Sequence, residues 1–538
     1  VGVFQIESRA QMQSIRRTQP ENLDDLVVQV AIVRPGPIQG GAINPYIERR
    51  RRLREDPAYE IPYEHPALEP VLRETLGTII FQDQVMQVAE AFAGFSPGEA
   101  DGLRRAMSRK RSHEMIQGHR ERFVTGALRH AGADRQTAER VWGMVEGFAG
   151  FGFPKAHSAA FGLLAYQSTW LRVHYGAEFL CALLNEQPMG FYAPDSLVHE
   201  AENRGTAIPV LGLDVNASQV QCTIDGGGVR LGLGYIKDVA SVEMQALVAE
   251  RERNGPFASL GDLAARVACR RGTLEQLAWS GACDSLIGGR DAQTGTPSGA
   301  QAGRREALWQ LGVTTPAETA GAGEATQLAL PLRLPAAPRL RPLGRWQQLI
   351  ADYSTSGVTI GEHALAILRE RLTVPMLATS AQLPRLPSGC QVAVAGLVIA
   401  RQRPGTAKGT MFLLFEDEFG TINLIVGKAV YERHRHLARA EPLLLARGVL
   451  ERSQGVVNVI VRELAPLERF FSDGIEQEQG GAASARVHHL PGRERPLAQT
   501  GGASRGSGGD EDVEGGEVGS SMRAAAPPMQ SFAQGRRR

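Results

Sequence analysis

The chain has 538 residues, 43% of them hydrophobic, and 59 basic against 58 acidic side chains leave a net charge of +1. That length supports three or four domains with substantial cores, and the balance excludes a uniformly basic or acidic protein while leaving room for local charged stripes. No run approaches 18 apolar residues and no charged-then-apolar leader opens the sequence, so neither a membrane span nor a signal peptide is expected and the reading is of a cytoplasmic protein. Cys181, Cys222, Cys269, Cys283 and Cys390 stand far apart with no Cys-x-x-Cys pair, which fits reduced thiols and gives no zinc site. The first residue is Val1 rather than Met, from which a piece of a longer protein is expected.

Residues 1–205 read as mostly helical. Asp24 to Val33 is a short apolar run stopped by Pro35-Gly-Pro37, a rigid turn that leaves Arg34 at a defined corner, on a helix dipole or in a salt bridge. Glu48 to Glu55 holds Arg49, Arg50, Arg51, Arg52 and Arg54, either a solvated face or a salt-sensitive contact to a phosphate backbone. A second cluster follows at Arg104, Arg105, Arg109, Lys110 and Arg111. On a helix Arg104, Ser108 and Arg111 share a face, with Arg105 and Arg109 on the adjoining strip. The stretch Phe148 to Trp170 opens on Gly150, Gly152 and Pro154, which cannot sit inside a helix, and then runs without a breaker to Gly176. Lys155, His157 and Ser158 therefore fall at a helix start, where unpaired N–H groups and partial positive charge suit an anion. His157, Phe161, Leu164 and Ser168 share one face of that helix. The same residues also read as a helix cap (Ser158) and a core histidine (His157).

Gly150-Phe-Gly-Phe-Pro-Lys-Ala-His-Ser-Ala-Ala-Phe161 resembles the fingers signature of C-family bacterial DNA polymerases, the alpha subunits of DNA polymerase III and their error-prone relatives. Gly2-Val-Phe-Gln-Ile-Glu-Ser8, Arg34-Pro-Gly-Pro-Ile-Gln39, Phe81-Gln-Asp-Gln-Val-Met86 and Gly98-Glu-Ala-Asp-Gly-Leu-Arg-Arg-Ala-Met107 match in the same order. The resemblance implies a fingers region over residues 1–205, with Arg34, Arg104, Arg105, Lys155, His157 and Ser158 against a deoxynucleoside triphosphate or the primer terminus. It makes Arg49, Arg50, Arg51, Arg109 and Lys110 candidates for DNA contact. Phosphoryl transfer depends on positioning and charge neutralisation, which fixed cations supply.

Residues 206–286 change character. Val210 to Ile236 alternates short apolar runs with turns, including the hairpin signal Asp225-Gly-Gly-Gly228, and a helical run follows from Met244 to Arg253. In position this resembles the family's helix-hairpin-helix, a clamp-binding and DNA-gripping domain. The expected hairpin glycines are replaced, giving Lys237-Asp-Val-Ala-Ser241, so a backbone N–H nest is in question while Lys237 remains a candidate DNA contact. Residues 287–345, rich in Gly, Ala, Thr, Pro and Gln, read as a largely flexible linker. Within it Gln327-Leu-Ala-Leu-Pro-Leu332 resembles the peptide that docks bacterial polymerases into the sliding clamp, through Gln327, Leu328, Leu330 and Leu332, although Pro331 stands where an aromatic residue is expected.

A helical connector (346–389) leads into 390–467, where runs at Val392–Ile399, Thr410–Phe415, Thr421–Val426, Pro442–Leu450 and Val456–Val461 predict a five-stranded OB-type barrel. The family carries such a barrel for single-stranded template, and Arg401, Arg403 and Lys408 with Phe412 would supply charge and a stacking face. Residues 468–538 read as a disordered tail ending in Arg536-Arg-Arg538. The fold class is thus multidomain α+β: helical fingers, a small helix-hairpin-helix-like α/β domain, an all-β barrel and a tail.

The family's Mg²⁺ is held by palm aspartates expected upstream of Val1, so neither a catalytic carboxylate nor a metal ligand is assigned to this chain. Glu416-Asp-Glu418 and Asp510-Glu-Asp512 read as solvated acidic turns. The expected function is template-directed DNA synthesis, with primer-template DNA, single-stranded template, nucleotides and the sliding clamp as partners, and translesion accessory proteins as further ones. Asn185-Glu-Gln-Pro-Met-Gly-Phe-Tyr192 and the missing further domain after the barrel lean towards the error-prone branch. A replicative alpha subunit and a non-enzymatic DNA-binding module recruited to the clamp are the other readings.

Overall fold

The computed structural model describes residues 2–34, 37, 41–108, 113–148, 153–189, 192–203, 208–287, 303–314, 338, 340–404, 407, 409–453, 456–471, 522 and 530–533. The chain divides into two units, one made of Val1–Leu213, Ala217–Leu233 and Arg452–Val457, the other of Asp214–Asn216, Gly234–Glu451 and Asn458–Arg538.

In the first unit, α1 (Arg9–Thr18) and α2 (Leu23–Ile32) start at side-chain caps, Ser8 accepting from Gln11 N–H and Asn22 from Asp25 N–H. With α3 (Ile43–Glu55) they enclose Val27, Val28, Ala31, Ile32, Tyr46, Ile47 and Phe81. Burial pushes the Tyr46 phenol up to about 12. A second core lies between α4 (Gln82–Ala93), α5 (Pro97–Ser108), α6 (His113–His130) and α7 (Arg135–Gly147), around Phe92, Phe95, Phe123 and Trp142. Gly126 is required there, because a Cβ on it would sit 2.1 Å from Ala93 O. The helix α8 (Lys155–His174) crosses α2 on a strip of small buried residues, Ser158, Gly162 and Ala165, at i, i+4 and i+7. A Cβ on Gly162 would already stand 3.1–3.3 Å from Val27. The rest of α8 leaves Leu163, Leu164, Tyr166 and Trp170 exposed.

After α9 (Gly176–Asn185) and α10 (Pro194–Asn203) comes a three-stranded sheet of β1 (Val210–Leu211), β2 (Thr223–Asp225) and β3 (Gly228–Arg230), with β3 central. Gly226 and Gly227 both take positive φ in the β2–β3 turn, as the Asp225–Gly228 signal requires.

In the second unit, α11 (Ser241–Asn254), α12 (Leu260–Arg266), α13 (Arg271–Trp279), α14 (Gly303–Thr314), α15 (Arg345–Thr355) and α16 (Ala364–Arg369) precede the barrel. The linker expectation is corrected at α14, whose Ala307 and Leu311 are buried and whose Arg304 pairs with Asp352 at 2.7 Å. Burial, opposed by Arg304, raises the neighbouring Asp284 to about 6.

The barrel strands are β4 (Gln391–Arg403), β5 (Met411–Asp417), β6 (Gly420–Val426), β7 (Leu443–Ser453) and β8 (Val456–Pro466). The order β5-β6-β8-β7-β4 closes because the long β4 pairs β7 through Gln391–Leu397 and pairs β5 from Leu397 to Gln402, with a register shift between Val398 and Ala400. Between β6 and β7 lie α17 (Lys428–Arg433) and α18 (Arg435–Ala440). The tail expectation is corrected in two places. Met522 is buried beside Tyr353 and Leu397, and Gln530–Ala533 forms a strand, β9, on β4. The solvated reading of Glu416–Glu418 is corrected too. Asp417 is 2% exposed and accepts from the backbone and hydroxyl of Ser380 and from Phe419 and Gly420 N–H, and Glu418 pairs with Arg369.

Glu243 ties the start of α11 to α13. It accepts Arg270 N–H at 2.8 Å, the Arg270 guanidinium at 3.0 Å and Thr273 Oγ1–H at 2.8 Å. Burial alone would raise its carboxyl, but these donors outweigh it and hold Glu243 at about 2. A depressed folded value means stability that is present above the usual 4.5 and lost as pH falls from there towards 2. Thermal unfolding should therefore show an acid-side loss over that window that shrinks in Glu243→Gln. The substitution itself should cost about 1.5–3 kcal/mol at neutral pH, the range for hydrogen bonds to a charged group.

Candidate nucleotide and nucleic-acid interface

Pro154 starts α8 in extended geometry, so its first turn begins at Lys155. Phe153 O accepts from Gln82 N–H at 3.0 Å, and Lys155 N–H is taken by Asp83 Oδ2 at 2.6 Å, a carboxylate seated on the positive helix end. Lys155 Nζ meets Glu74 at 2.5 Å on the surface. The helix start is thus already met by acceptors of the chain itself. Ser158 is fully buried and its hydroxyl donates to Val27 O. This corrects its assignment to a phosphate: it is a packing residue of the α2–α8 crossing.

With the small face turned inward, His157 and Phe161 lie on its flank. Phe153, His157 and Phe161 form an edge-on ladder, with centroids 5.0 and 4.4 Å apart, and Phe4 continues it at 5.2 Å from Phe161. The Arg34 guanidinium lies over the Phe153 ring at 4.3 Å and donates to Gln5 Oε1 at 3.0 Å. Gln5 holds φ +68, a left-handed conformation rare for such a residue and found where surroundings over-determine the backbone. Burial holds the Arg34 guanidinium below its ordinary value. Its described partners, an amide oxygen and an aromatic face, leave the positive charge unneutralised, which suits a polyanion.

Arg104 and Arg105 both turn to Asp101 within α5, at 2.7 and 2.5 Å. Hydrogen bonds from the two guanidinium groups, Arg104 first, hold Asp101 below the usual carboxylate range. Two cations on one carboxylate leave the trio net positive.

The arginine run on α3 behaves otherwise. Arg49 donates to Leu76 O at 2.6 Å. Arg50 donates to Thr18 O and Gln19 O at the end of α1 and grips Asp25 with both terminal nitrogens. Both are structural, which corrects their assignment to DNA. Arg51 is exposed and pairs with Glu48 and Glu55. In the second unit Lys237 Nζ donates to Tyr353 O at 2.6 Å, in the last turn of α15, and burial lowers its ammonium. Arg401 is 5% exposed and donates to Ala438 O and Glu441 O at the end of α18, burial pushing it down to about 10. Neither faces solvent as expected. Arg403 does, stacked on Tyr431 at 4.2 Å. Arg109, Lys110, Lys408, Gln327, Leu328, Leu330 and Leu332 lie outside the described residues.

The hairpin before α11 takes its left-handed turn without glycine. Asp238 holds φ +60, a conformation that Asp tolerates better than most residues. The turn geometry in question from the sequence is therefore present, with a carboxylate on it.

Residues 1–131 match the family model described as the bacterial DNA polymerase III alpha subunit finger domain, and residues 207–293 match a helix-hairpin-helix motif. Error-prone DNA polymerases are similar over most of the chain. That of Mycolicibacterium paratuberculosis is 41% identical over 471 residues, covering 86% of this chain and 40% of that protein. That of Anaeromyxobacter sp. (strain K) is 42% identical over 482 residues, 87% and 40%. That of Corynebacterium glutamicum is 41% identical over 476 residues, 88% and 42%. Residues 1–131 thus resemble the fingers of a bacterial DNA polymerase III alpha subunit. The chain spans about 40% of the length of the curated relatives it matches. Likenesses to solved structures, such as asparaginyl-tRNA synthetase from Pyrococcus horikoshii (23% identity, 17% of this chain and 22% of that one, TM-score 0.15), are too slight to carry an argument.

Sequence reading missed Phe4, Gln5 and Phe153 as members of the Arg34–His157 constellation. The signal was present in part, since Phe153, His157 and Phe161 stand four residues apart and helical spacing stacks them. The acceptors Glu74 and Asp83 carried no local signal. Ser158→Ala should lower thermal stability by about 1 kcal/mol, the net worth of one buried hydrogen bond, without weakening nucleotide binding. A weakened nucleotide affinity would return Ser158 to the binding site.

Proposed function

We propose that this chain supplies the fingers (1–205), the helix-hairpin-helix domain (206–286) and the OB barrel (390–467) of a DNA-directed DNA polymerase of the error-prone type. The observation that carries this reading is the Arg34–Phe153–His157–Phe161 ladder at the head of α8, in a chain whose relatives are error-prone DNA polymerases. Arg34 supplies positive charge to a triphosphate, and its stacking on Phe153 and its bond to Gln5 hold it in place before the ligand arrives. His157, edge-on between two aromatic rings, positions a polar nitrogen beside it. Arg104 and Arg105 exchange part of their hold on Asp101 for phosphate oxygens, since both pairs lie towards solvent and such pairs are worth little.

Mg²⁺ would neutralise the migrating phosphoryl group in such an enzyme. Asp417, Glu418, Asp284 and Asp352 do not fit it. Asp417 is filled by four donors and Glu418 by Arg369, while Asp284 and Asp352 face Arg304. Arg403 and the loop it opens would hold single-stranded template on the barrel, Gln327 to Leu332 would reach the sliding clamp, and translesion accessory proteins would join in the cytoplasm.

Arg34→Gln in the intact polymerase should raise the nucleotide KM about tenfold or more, corresponding to the 1.5–3 kcal/mol of a hydrogen bond to a charged group. Arg104→Gln with Arg105→Gln should raise it as well, and an unchanged KM in either variant would remove that residue from the site. At the hairpin, Asp238→Gly should relieve left-handed strain and remove a negative charge. The expected results are a higher unfolding temperature and tighter duplex binding. Unchanged duplex affinity would take this hairpin out of DNA contact.

A further inference from the structure

The two short helices between β6 and β7 carry a concentration of positive charge that the barrel itself does not use. Over residues 428–440 four Lys or Arg side chains stand against one acidic residue, Glu432. Each helix buries one residue on its inner side, Tyr431 on α17 and Ala438 on α18, and leaves Lys428, Arg433, Arg435, His436 and Arg439 exposed. Arg435 and Arg439 stand one turn apart, so they share the outer face of α18.

Elsewhere the exposed arginines of this chain lie beside carboxylates: Arg51 with Glu48 and Glu55, Arg73 with Glu69, Arg120 with Glu139 and Arg140 with Glu64. Here the local carboxylates are engaged by other arginines. Glu432 pairs with Arg403 at 3.4 Å, and Glu463, whose charge reaches His434 between the two helices, pairs with Arg447 at 3.4 Å. Among the described residues Lys428, Arg433, Arg435 and Arg439 form no ion pair. Nor does the end of α18 need Arg439, because Arg401 already donates to Ala438 O and Glu441 O there.

The basic face is continuous with the end of β4. Arg403 stacks on Tyr431 of α17 at 4.2 Å, and the stem of Lys428 lies so close to Gly409 that a Cβ there would stand 3.2 Å from it. Cations gathered on one surface repel each other and raise the local potential, and a polyanion relieves both effects.

We propose that the outer face of α17 and α18 binds the phosphate backbone of nucleic acid through Lys428, Arg433, Arg435 and Arg439. In barrels of this topology oligonucleotides meet a strand face and two of the loops. The face proposed here lies on the helices joining β6 to β7, and it adds a hold that is electrostatic and indifferent to base sequence.

The test is binding of the full chain to a blunt DNA duplex and to single-stranded oligo-dT across a salt series, read by fluorescence anisotropy. It compares the unaltered protein with a charge-removing variant (Lys428→Gln, Arg433→Gln, Arg435→Gln, Arg439→Gln) and a charge-keeping one (Arg433→Lys, Arg435→Lys, Arg439→Lys). Each phosphate contact contributes about 0.9 to the slope of log K against log salt on duplex and about 0.7 on a single strand. The charge-removing variant should therefore flatten the slope by up to about 3.6 on duplex, or about 2.8 on oligo-dT, and the charge-keeping variant should retain it. Flattening on one ligand alone identifies which form of nucleic acid the face holds. An unaltered slope on both ligands in the charge-removing variant overturns the proposal and leaves the assignment of Arg403 standing. Equal flattening in the charge-keeping variant overturns it too, because packing rather than charge would then be at work. Failure of the unaltered chain to bind either ligand removes this face and the nucleic-acid reading of the barrel together.

Discussion

The last turn of an α-helix leaves carbonyl oxygens without intrahelical donors, and a buried end must find them elsewhere. This chain answers repeatedly with cations. Arg50 serves the end of α1, Lys237 the last turn of α15 and Arg401 the end of α18. Each also gains from the negative end of the helix dipole, which offsets part of the burial penalty that lowers Lys237 and Arg401. The constraint divides the basic residues into two populations. One closes helices and is spent on structure. The other meets neutral or solvent-facing partners: Arg34 the Gln5 amide and the Phe153 ring, Arg104 and Arg105 the shared Asp101, and Arg403 the Tyr431 ring and Glu432.

The same economy of surfaces organises α8. Ser158, Gly162 and Ala165 bring its backbone close to α2, and helical geometry then sets His157 and Phe161 on the flank of that strip, where Phe153, Phe4 and Arg34 join them. Position on the helix, rather than chemical type, separates the packing serine from the outward histidine one residue earlier.

Much of the architecture was legible because it is written in short-range signals. The five barrel strands stand where alternation and turn residues put them, and Gly226-Gly227 makes the hairpin that Asp225–Gly228 announces. The start of α8 follows from Pro154. What stayed hidden depends on long-range partners. Arg401 looks like a loop cation until α18 brings Ala438 O to it, and Ser158 looks like a phosphate ligand until Val27 O takes its hydroxyl. Helix α14 hides within an Ala/Gly-rich composition although Arg304 to Leu311 favour a helix, and it is held by packing of Ala307 and Leu311 and by the Arg304–Asp352 pair. Asp238 shows the converse case, a left-handed turn that survives the loss of the residue type by which such turns are recognised.

The division between structural and ligand-facing cations is most directly tested by arginine-selective modification with phenylglyoxal, read by mass spectrometry with and without primer-template DNA and a nucleotide. Arg34, Arg104, Arg105 and Arg403 should react in the free protein and be protected by ligand, whereas Arg50 and Arg401 should resist the reagent in both states. Ligand-dependent protection of Arg50 or Arg401, or reactivity of Arg34, Arg104 and Arg105 that ligand does not change, would contradict it.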